Sequence, residues 1–227
     1  MKKFYYYIPL ILQNLFFVTF FPLYKFFLKL EIKGQENLKD IKRPIILAPN
    51  HTSELDPTII PLIFSPLSFL LPIYSVIYPI EKYKTPDFKW RRYIYGKLFF
   101  NILGGYSSYS GSKDYSKSLK DHIFILKQGK TVSIFPEGQM TLDGKIGKPR
   151  GGLGYLVYTT EAVIVPIAVD TLFNLKFKEF ILRQRKVVIT VLSPIYKKDI
   201  IDLTNPTAED FRAVSQKVLD RIQEIMG

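Results

Sequence analysis

Residues 44–57 read PIILAPNHTSELDP and join an apolar run to one of only two histidines in the chain. The run at 44–49 has proline at both ends and is too short for a typical helix, so it predicts a buried β-strand. His51 follows this strand closely, and Asp56 comes five positions after it. Five residues turn an ideal helix by about 500°, which leaves the two side chains about 140° apart. The pair can therefore meet only if His51 lies in a loop and Asp56, with Pro57 behind it, lies near the start of the next helix.

Two later apolar runs have the same strand-like character, TVSIFPEG at residues 131–138 and VIVPIAV at 163–169. Such runs alternate along the chain with helical patterns. The predicted strands are 44–49, 67–71, 131–135, 163–169 and 187–192, and the predicted helices are 114–128, 152–160 and the stretch that follows 207–210. This alternation predicts an α/β fold with a mixed, largely parallel central sheet flanked by helices. The polar motifs then fall in loops at strand ends, where open α/β sheets hold their ligands.

Taken in order, four stretches resemble the motifs of glycerolipid acyltransferases, the family typified by 1-acylglycerol-3-phosphate acyltransferases. They are KGQENL at 33–38, NHTSELD at 50–56, FPEG at 135–138 and VPI at 165–167. A histidine and an aspartate at this spacing arise often by chance, whereas the ordered set of four is specific. The resemblance covers roughly residues 30–170.

The resemblance implies an enzyme that transfers a fatty acyl group from a thioester to the hydroxyl group of a lysolipid in phospholipid biosynthesis, with 1-acylglycerol-3-phosphate as the expected acceptor. Such a hydroxyl must lose its proton as it attacks, and histidine is the side chain best suited to accept a proton near neutral pH. His51 is the expected base, and Asp56 is expected to orient it and to stabilise the imidazolium that forms. Without the other motifs, His51 would more simply be a core histidine bonded to a carbonyl group. His122 is expected to be a bystander within a helix.

The same resemblance implies the substrate-binding residues. Glu137 and Gly138 are expected in the acceptor site, with Ser53, Lys148 and Arg150 as further substrate-binding residues. Ser53 has two other interpretations, a nucleophile and, more simply, the N-cap of the following helix. Glu137 and Gly138 would otherwise form a plain turn after a strand, and the loop that carries Lys148 and Arg150 would be a solvated basic loop.

Two departures from the family pattern concern the acceptor. Family members that use phosphate-bearing acceptors usually carry an arginine two residues after FPEG, where this chain has Met140. A second family arginine is missing from residues 105–110, which read GYSSYS. One interpretation is that cations of other loops bind the phosphate, the candidates being Lys113, Lys145, Lys148 and Arg150. The other is an acceptor without a phosphomonoester, such as a neutral, zwitterionic or amino-acid-linked lysolipid.

Composition limits the chemistry and the partners. The chain has 227 residues, no cysteine and two histidines, which excludes disulfides and thiolate nucleophiles and leaves too few ligands for the usual zinc sites. We expect neither a metal nor another cofactor. The net charge of +12 favours anionic partners, and both candidate acyl donors, acyl-coenzyme A and acyl-carrier protein, are anionic. The cations are dispersed rather than gathered in a known nucleic-acid-binding module, so nucleic acid is not the expected partner.

Residues 4–28 form an apolar, aromatic block with a single lysine. Its length just meets the roughly 20 residues that a membrane-spanning helix needs, but Pro9 and Pro22 interrupt it and Gln13 and Asn14 lie within it. We therefore expect one or two helices that lie in one leaflet, with lysines against anionic lipid. A single membrane crossing is the alternative.

The expected organisation is a membrane-associated helical segment at residues 1–30 and a catalytic domain at 31–227. The expected location is the cytoplasmic face of the cell membrane, with an anionic membrane surface and a lysolipid acceptor as partners. The missing arginines motivate one further alternative, a non-catalytic lipid-binding protein of the same fold.

Overall fold

A computed structural model describes residues 4–108 and 114–226. The helices are α1 (Phe4–Phe27), α2 (Asp56–Ile59), α3 (Lys97–Leu103), α4 (Tyr115–Ser118), α5 (Lys120–Lys127), α6 (Gly152–Thr160), α7 (Phe177–Ile181), α8 (Lys197–Ile200) and α9 (Ala208–Met226). The strands are β1 (Glu31–Lys33), β2 (Ile45–Pro49), β3 (Ile73–Ile77), β4 (Gly105–Ser107), β5 (Thr131–Ser133), β6 (Val163–Asp170) and β7 (Val188–Val191). Short 3₁₀ helices lie at Gln35–Leu38, Ile60–Ile63, Ile80–Lys84 and Pro86–Tyr93.

These strands form one sheet in the order β1-β7-β6-β2-β5-β3-β4. All neighbouring pairs are parallel except β6 and β7, which are antiparallel. The predicted α/β class with a mixed, largely parallel sheet is therefore confirmed. Ile45 of β2 pairs with Thr131 of β5 on one side and with Val163 of β6 on the other. The carboxyl ends of the three motif-bearing strands consequently meet at one end of the sheet.

The central strand β2 is buried on both faces. Ile45 and Leu47 pack into the layer that contains α1 and α2, whereas Ile46 and Ala48 pack into the layer formed by α5, α6 and α9. Because successive side chains of a strand point to opposite faces, a strand between two helical layers must be apolar throughout. This requirement explains the unbroken apolar run in the sequence.

Helix α1 runs unbroken through Pro9 and Pro22, so the expectation that these prolines interrupt the segment is wrong. A proline removes one backbone donor, but a helix continues where tertiary contacts hold it on both sides. Gln13 makes such a contact, because its side-chain amide donates to the carbonyl group of Ile73 at 2.8 Å and accepts from the Ile73 N–H at 2.9 Å. Tyr24, near the other end, is buried in the core. The interior of α1 is therefore docked on the sheet layer that it covers.

The stretch Tyr7–Phe27 of this helix has the length and hydropathy of a membrane-spanning helix, which by itself is weak evidence of membrane association.

The strand predicted at 67–71 is wrong. That stretch is a turn, in which Leu67 has a φ of 59° and the N–H of Leu71 donates to the carbonyl group of Ser68. The helix predicted at 114–128 is divided into α4 and α5 at Leu119, whose φ and ψ of −115° and 17° are not helical.

Candidate active site

Strands β2 and β5 bring the NHTSELD and FPEG motifs together. The strands are parallel neighbours, and each motif follows the carboxyl end of its strand. Asn50, which is 1% exposed, fastens this end of β2 to β6. Its Nδ2 donates to the carbonyl group of Val169 at 3.0 Å, and its Oδ1 accepts from the Val169 N–H at 2.7 Å. The loop that carries His51 therefore starts from a fixed point in the sheet.

The structure brings His51 and Asp56 into contact. His51 Nδ1 lies 2.9 Å from Asp56 Oδ2. Asp56 is the first residue of α2 and is fully buried, and His51 lies in the irregular loop before it. The same carboxylate oxygen accepts the backbone N–H groups of Thr52 at 2.7 Å and Ser53 at 2.9 Å. Two backbone donors thus fix one carboxylate oxygen, which in turn orients the imidazole ring.

The orientation of the His51 ring follows from these contacts. A carboxylate only accepts hydrogen bonds, so the proton of the neutral imidazole lies on Nδ1 and the lone pair on Nε2. The ring also stacks on Phe135, with centroids 3.9 Å apart and planes 15° apart. Within residues 4–108 and 114–226, no side chain or backbone group hydrogen-bonds to Nε2. The arrangement presents one basic nitrogen in a fixed direction.

Glu137 braces two loops of the site. Its Oε1 accepts the backbone N–H of His51 at 2.9 Å, and its Oε2 accepts the N–H of Gly147 at 3.1 Å. Glu137 is 1% exposed, and this burial raises the pKa of its carboxyl group, while the two N–H groups act in the opposite direction. A Cβ at Gly147 would lie 3.0 Å from Oε2, so glycine allows this loop to approach closely. Both oxygens of Glu137 therefore face the protein's own backbone.

These residues form an oriented base beside a buried carboxylate. In the part of the chain that the structure describes, no group of three or more histidine, cysteine, aspartate or glutamate residues is placed to hold a metal ion. The geometry suits proton transfer to or from a group bound at Nε2.

Comparison with known proteins assigns the family. Residues 29–170, more than half of the chain, match the model of the family described as Acyltransferase. This chain belongs to the acyltransferase family. This match confirms the family resemblance of the sequence motifs.

Two curated relatives illustrate the likeness. The chain is 27% identical over 204 residues to the chloroplastic 1-acyl-sn-glycerol-3-phosphate acyltransferase BAT2 of Brassica napus, an alignment that covers 87% of this chain and 54% of the relative. It is 28% identical over 141 residues to the probable 1-acyl-sn-glycerol-3-phosphate acyltransferase of Mycoplasma pneumoniae, which covers 62% of this chain and 49% of the relative. This acyltransferase chain thus spans about half the length of these curated relatives.

A solved structure has the same fold. The crystal structure of the 1-acyl-sn-glycerophosphate (LPA) acyltransferase PlsC from Thermotoga maritima superimposes with a TM-score of 0.58, at 18% identity and over 95% of both chains.

Among the cations of this chain, Arg150 lies beside the FPEG motif. Gly138 has a φ of +67°, and a Cβ there would lie 2.8 Å from Cγ of Arg150. The N–H of Arg150 donates to the carbonyl group of Pro136 at 2.8 Å, and its carbonyl group accepts from Ser215 Oγ of α9 at 2.6 Å. The backbone of Arg150 is therefore fixed, and its side chain lies over the glycine of the motif.

The other expected substrate-binding residues are placed differently. Ser53 is not a helix N-cap, since α2 begins after Leu55; the Oγ of Ser53 accepts the N–H of Leu55 at 3.2 Å and so stabilises the loop itself. Lys148 is exposed and lines a shallow surface cavity with Gln216 and Asp220 of α9. Lys113 lies outside the described residues.

The sequence interpretation missed several contributors. Asn50 and Phe135 stand out in the sequence only as parts of motifs, although a polar residue directly after a buried strand is a usable signal for Asn50. Thr141 connects the loop after FPEG to the His51 loop, because its N–H donates to the carbonyl group of His51 at 2.9 Å. Tyr78 follows β3 directly in sequence; burial raises the pKa of its hydroxyl group, and the charge of Arg150 opposes this effect. No local pattern marks Thr141 or Tyr78.

Proposed function

We propose that this protein transfers a fatty acyl group from a thioester to the free hydroxyl group of 1-acylglycerol-3-phosphate, in phospholipid biosynthesis. The observation that carries the proposal is the 2.9 Å contact of His51 with a fully buried carboxylate, Asp56, beside the FPEG loop. The names of the curated relatives support the choice of acceptor. The donor is acyl-coenzyme A or acyl-carrier protein, and the reaction uses no metal and no other cofactor.

In this mechanism, Nε2 of His51 takes the proton of the acceptor hydroxyl as its oxygen attacks the thioester carbonyl carbon. The tetrahedral intermediate then collapses, the carbon–sulfur bond breaks, and the imidazolium gives its proton to the departing thiolate. The products are a new ester and a free thiol. No bond to the protein forms, and base catalysis of this kind contributes about 10²–10⁴ in rate.

Asp56 acts through His51. It holds the tautomer whose Nε2 lone pair faces the acceptor, and its negative charge stabilises the imidazolium while the proton resides there. Glu137 acts through the backbone, because its two oxygens set the distance between the His51 loop and the loop at Gly147. Its contribution to the acceptor site is therefore positional, and Ser53 contributes in the same way through its hydrogen bonds within the loop.

We assign the acceptor phosphate to Arg150. Its side chain lies against Gly138 of the FPEG turn, and a guanidinium can bind a phosphate through two parallel hydrogen bonds, which Met140 cannot. Lys148 and Lys145, in the same basic loop, add positive charge around this position. This assignment accounts for phosphate binding without the two arginines that the family pattern would require.

Membrane association completes the proposal, with residues 1–30 as the membrane-associated segment and 31–227 as the catalytic domain. Tyr7, Ile11, Leu15 and Val18 are exposed and recur at helical spacing along α1. Because Gln13 fastens α1 to the catalytic domain, the exposed stripe suits a helix that lies in one leaflet. The cytoplasmic face of the cell membrane is the side on which both acyl donors are available.

The test is acyl transfer by the full chain from a long-chain thioester to 1-acylglycerol-3-phosphate, lysophosphatidylglycerol and lysophosphatidylcholine. Arg150→Ala is expected to raise KM for 1-acylglycerol-3-phosphate about 10- to 100-fold. The control is Arg221→Ala, which removes an exposed arginine beside the β1/β7 edge of the sheet and is expected to leave this KM unchanged. Product only from acceptors without a phosphomonoester would favour the second acceptor class. No product from any lysolipid would favour a non-catalytic lipid-binding protein.

A further inference from the structure

Residues 79–98, which we name the aromatic-basic segment, lead from β3 into α3 around an aromatic cluster. The ring of Tyr83 lies at its centre, with the ring centroids of Phe88, Tyr95 and Phe100 at 4.6 to 5.8 Å. Burial in this cluster raises the pKa of Tyr83 to about 12. These rings give the segment an internal core that holds its shape.

A second set of apolar side chains in this segment points to solvent. Trp90 is 68% exposed, Tyr93 76% and Leu98 66%. Because Tyr83 and its neighbours already fill the internal core, these side chains have no part in it. The segment also carries six lysines and arginines against two acidic residues. It therefore combines exposed aromatic rings with an excess of positive charge.

The aromatic-basic segment borders the active site. Nη1 of Arg91 donates to Oε2 of Glu54, which lies between His51 and Asp56 in the NHTSELD motif. Tyr78, the residue before the segment, lies close enough to Arg150 for its pKa to respond to the arginine charge. The exposed rings are thus attached to the loop that holds the catalytic base.

The segment is also connected to α1. It leads into α3, which packs against α1. Gln13 of α1, besides its bonds to Ile73, donates to the carbonyl group of Leu103 at the end of α3, at 3.3 Å. The exposed apolar face of α1 and the exposed rings of the segment are therefore joined through one helix.

We propose that the aromatic-basic segment is a second membrane-docking surface, which binds a bilayer containing anionic phospholipids beside the active site. Tryptophan and tyrosine favour the headgroup region of a bilayer, where one end of the ring is apolar and the other is wet. The interspersed lysines and arginines complement anionic headgroups. The Arg91–Glu54 ion pair then sets the position of the docked surface relative to His51.

This inference extends the proposed function, on which it rests for the identity of the acceptor. A lysolipid has its acyl chain in the bilayer and its hydroxyl group at the surface. A docked segment next to Glu54 would place that hydroxyl near Nε2 of His51 without removing the whole lipid from the membrane.

The test uses Trp90, which is the only tryptophan in the chain. Its emission reports on the centre of the proposed surface in the unmodified protein. Vesicles of phosphatidylcholine with and without phosphatidylglycerol are added to the full chain, and binding is measured independently by co-sedimentation. We expect a blue shift on binding to the anionic vesicles, and quenching by phospholipids brominated in their acyl chains. The proposal would be overturned if the protein sedimented with vesicles while the Trp90 emission stayed unshifted and fully quenched by acrylamide. In that case α1 alone would bind the bilayer.

Two variants and a control extend the test. Tyr93→Ala/Leu98→Ala is expected to weaken binding to anionic vesicles at least about tenfold. Lys89→Gln/Arg92→Gln removes two charges and is expected to weaken binding to anionic vesicles about 30-fold, with little effect on binding to neutral vesicles. The control, Ile225→Ala, truncates an exposed apolar residue at the opposite edge of the sheet and should change neither. An equal loss in the control, or burial of Trp90 by self-association without vesicles, would contradict membrane docking.

These measurements need no turnover. A protein whose Trp90 enters the bilayer but which transfers no acyl group would refute the proposed function and leave the docking surface intact. A protein that transfers acyl groups while Trp90 stays in water would support the proposed function and refute the docking surface.

Discussion

Replacing Asp56 with Asn removes one negative charge from the site and keeps the size of the side chain. Asp56 Oδ2 accepts from His51 Nδ1 and from the N–H groups of Thr52 and Ser53, all within 2.7 to 2.9 Å. The amide oxygen of asparagine can occupy the same position and keep both backbone bonds, so we expect the loop to fold as before. What the variant lacks is the charge that stabilises protonated His51 during turnover.

The expected magnitude follows from this geometry. A hydrogen bond to a charged group contributes about 1.5–3 kcal/mol. The attraction between two charges about 4 Å apart reaches about 4 kcal/mol at an effective dielectric constant near 20. Because about 1.36 kcal/mol corresponds to a tenfold change in rate, kcat should fall about 10- to 10³-fold. KM for the acceptor should change little, since Asp56 is buried behind His51.

The assay is steady-state acyl transfer at saturating donor, with urea denaturation of the same preparations. Asp56→Ala is the contrast, because it removes every acceptor from Thr52 N–H, Ser53 N–H and His51 Nδ1, and should lower the free energy of unfolding as well as kcat. If Asp56→Asn kept both wild-type kcat and wild-type stability, the charge of the carboxylate would take no part in proton transfer, and the proposed role of Asp56 would be refuted.

Three further predictions concern the glycine of the FPEG turn and two buried titratable groups. Gly138→Ala places a Cβ at a φ of +67° and 2.8 Å from Cγ of Arg150. The free energy of unfolding should therefore fall by about 1–2 kcal/mol, and KM for 1-acylglycerol-3-phosphate should rise about tenfold. An unchanged KM would contradict the binding of the acceptor phosphate by Arg150. Burial raises the pKa of Glu137, so this group contributes stability that is lost as pH rises through its native pKa. Above the ordinary pKa of glutamic acid, the free energy of unfolding of the wild type should fall with rising pH relative to that of Glu137→Gln. A difference between the two proteins that does not change with pH would contradict this. Burial lowers the pKa of His122 from 6.5 to about 4, so between these two pH values the unfolded chain binds a proton at His122 that the folded chain does not. The free energy of unfolding should therefore drop by about 3 kcal/mol as pH falls from 6.5 to about 4. Urea titrations of His122→Gln should not show this drop.

The features that sequence predicted well depend on local chemistry. The run at 44–49 is apolar throughout because β2 is buried on both faces, and that pattern is visible without a structure. The five-residue spacing of His51 and Asp56 excluded a single helix, and the structure places the pair across a loop and a helix start. The helix predicted after 207–210 is α9, and at its start the N–H of Thr207 donates to the Asp210 carboxylate while the N–H of Asp210 donates to the Thr207 hydroxyl group.

The features that sequence did not predict depend on distant contacts. Gln13 lies within an apolar block of the sequence, and its side chain bonds to Ile73, sixty residues away. Both oxygens of Glu137 accept from backbone groups of other loops, contacts that the FPEG motif alone does not reveal. The Arg91–Glu54 ion pair joins two segments that no periodicity connects. Each of these roles is set by which loops the sheet brings together, and a single sequence does not reveal that.

The central claim is that His51 is the base for direct acyl transfer to a lipid hydroxyl. The measurement that tests it most directly is the turnover of His51→Ala and wild type with 1-acylglycerol-3-phosphate in anionic vesicles, with vesicle binding recorded in the same samples. We predict that the variant binds vesicles as the wild type does and loses at least about 10²-fold in kcat. Turnover close to that of the wild type, in a variant that is folded and bound, would contradict the account.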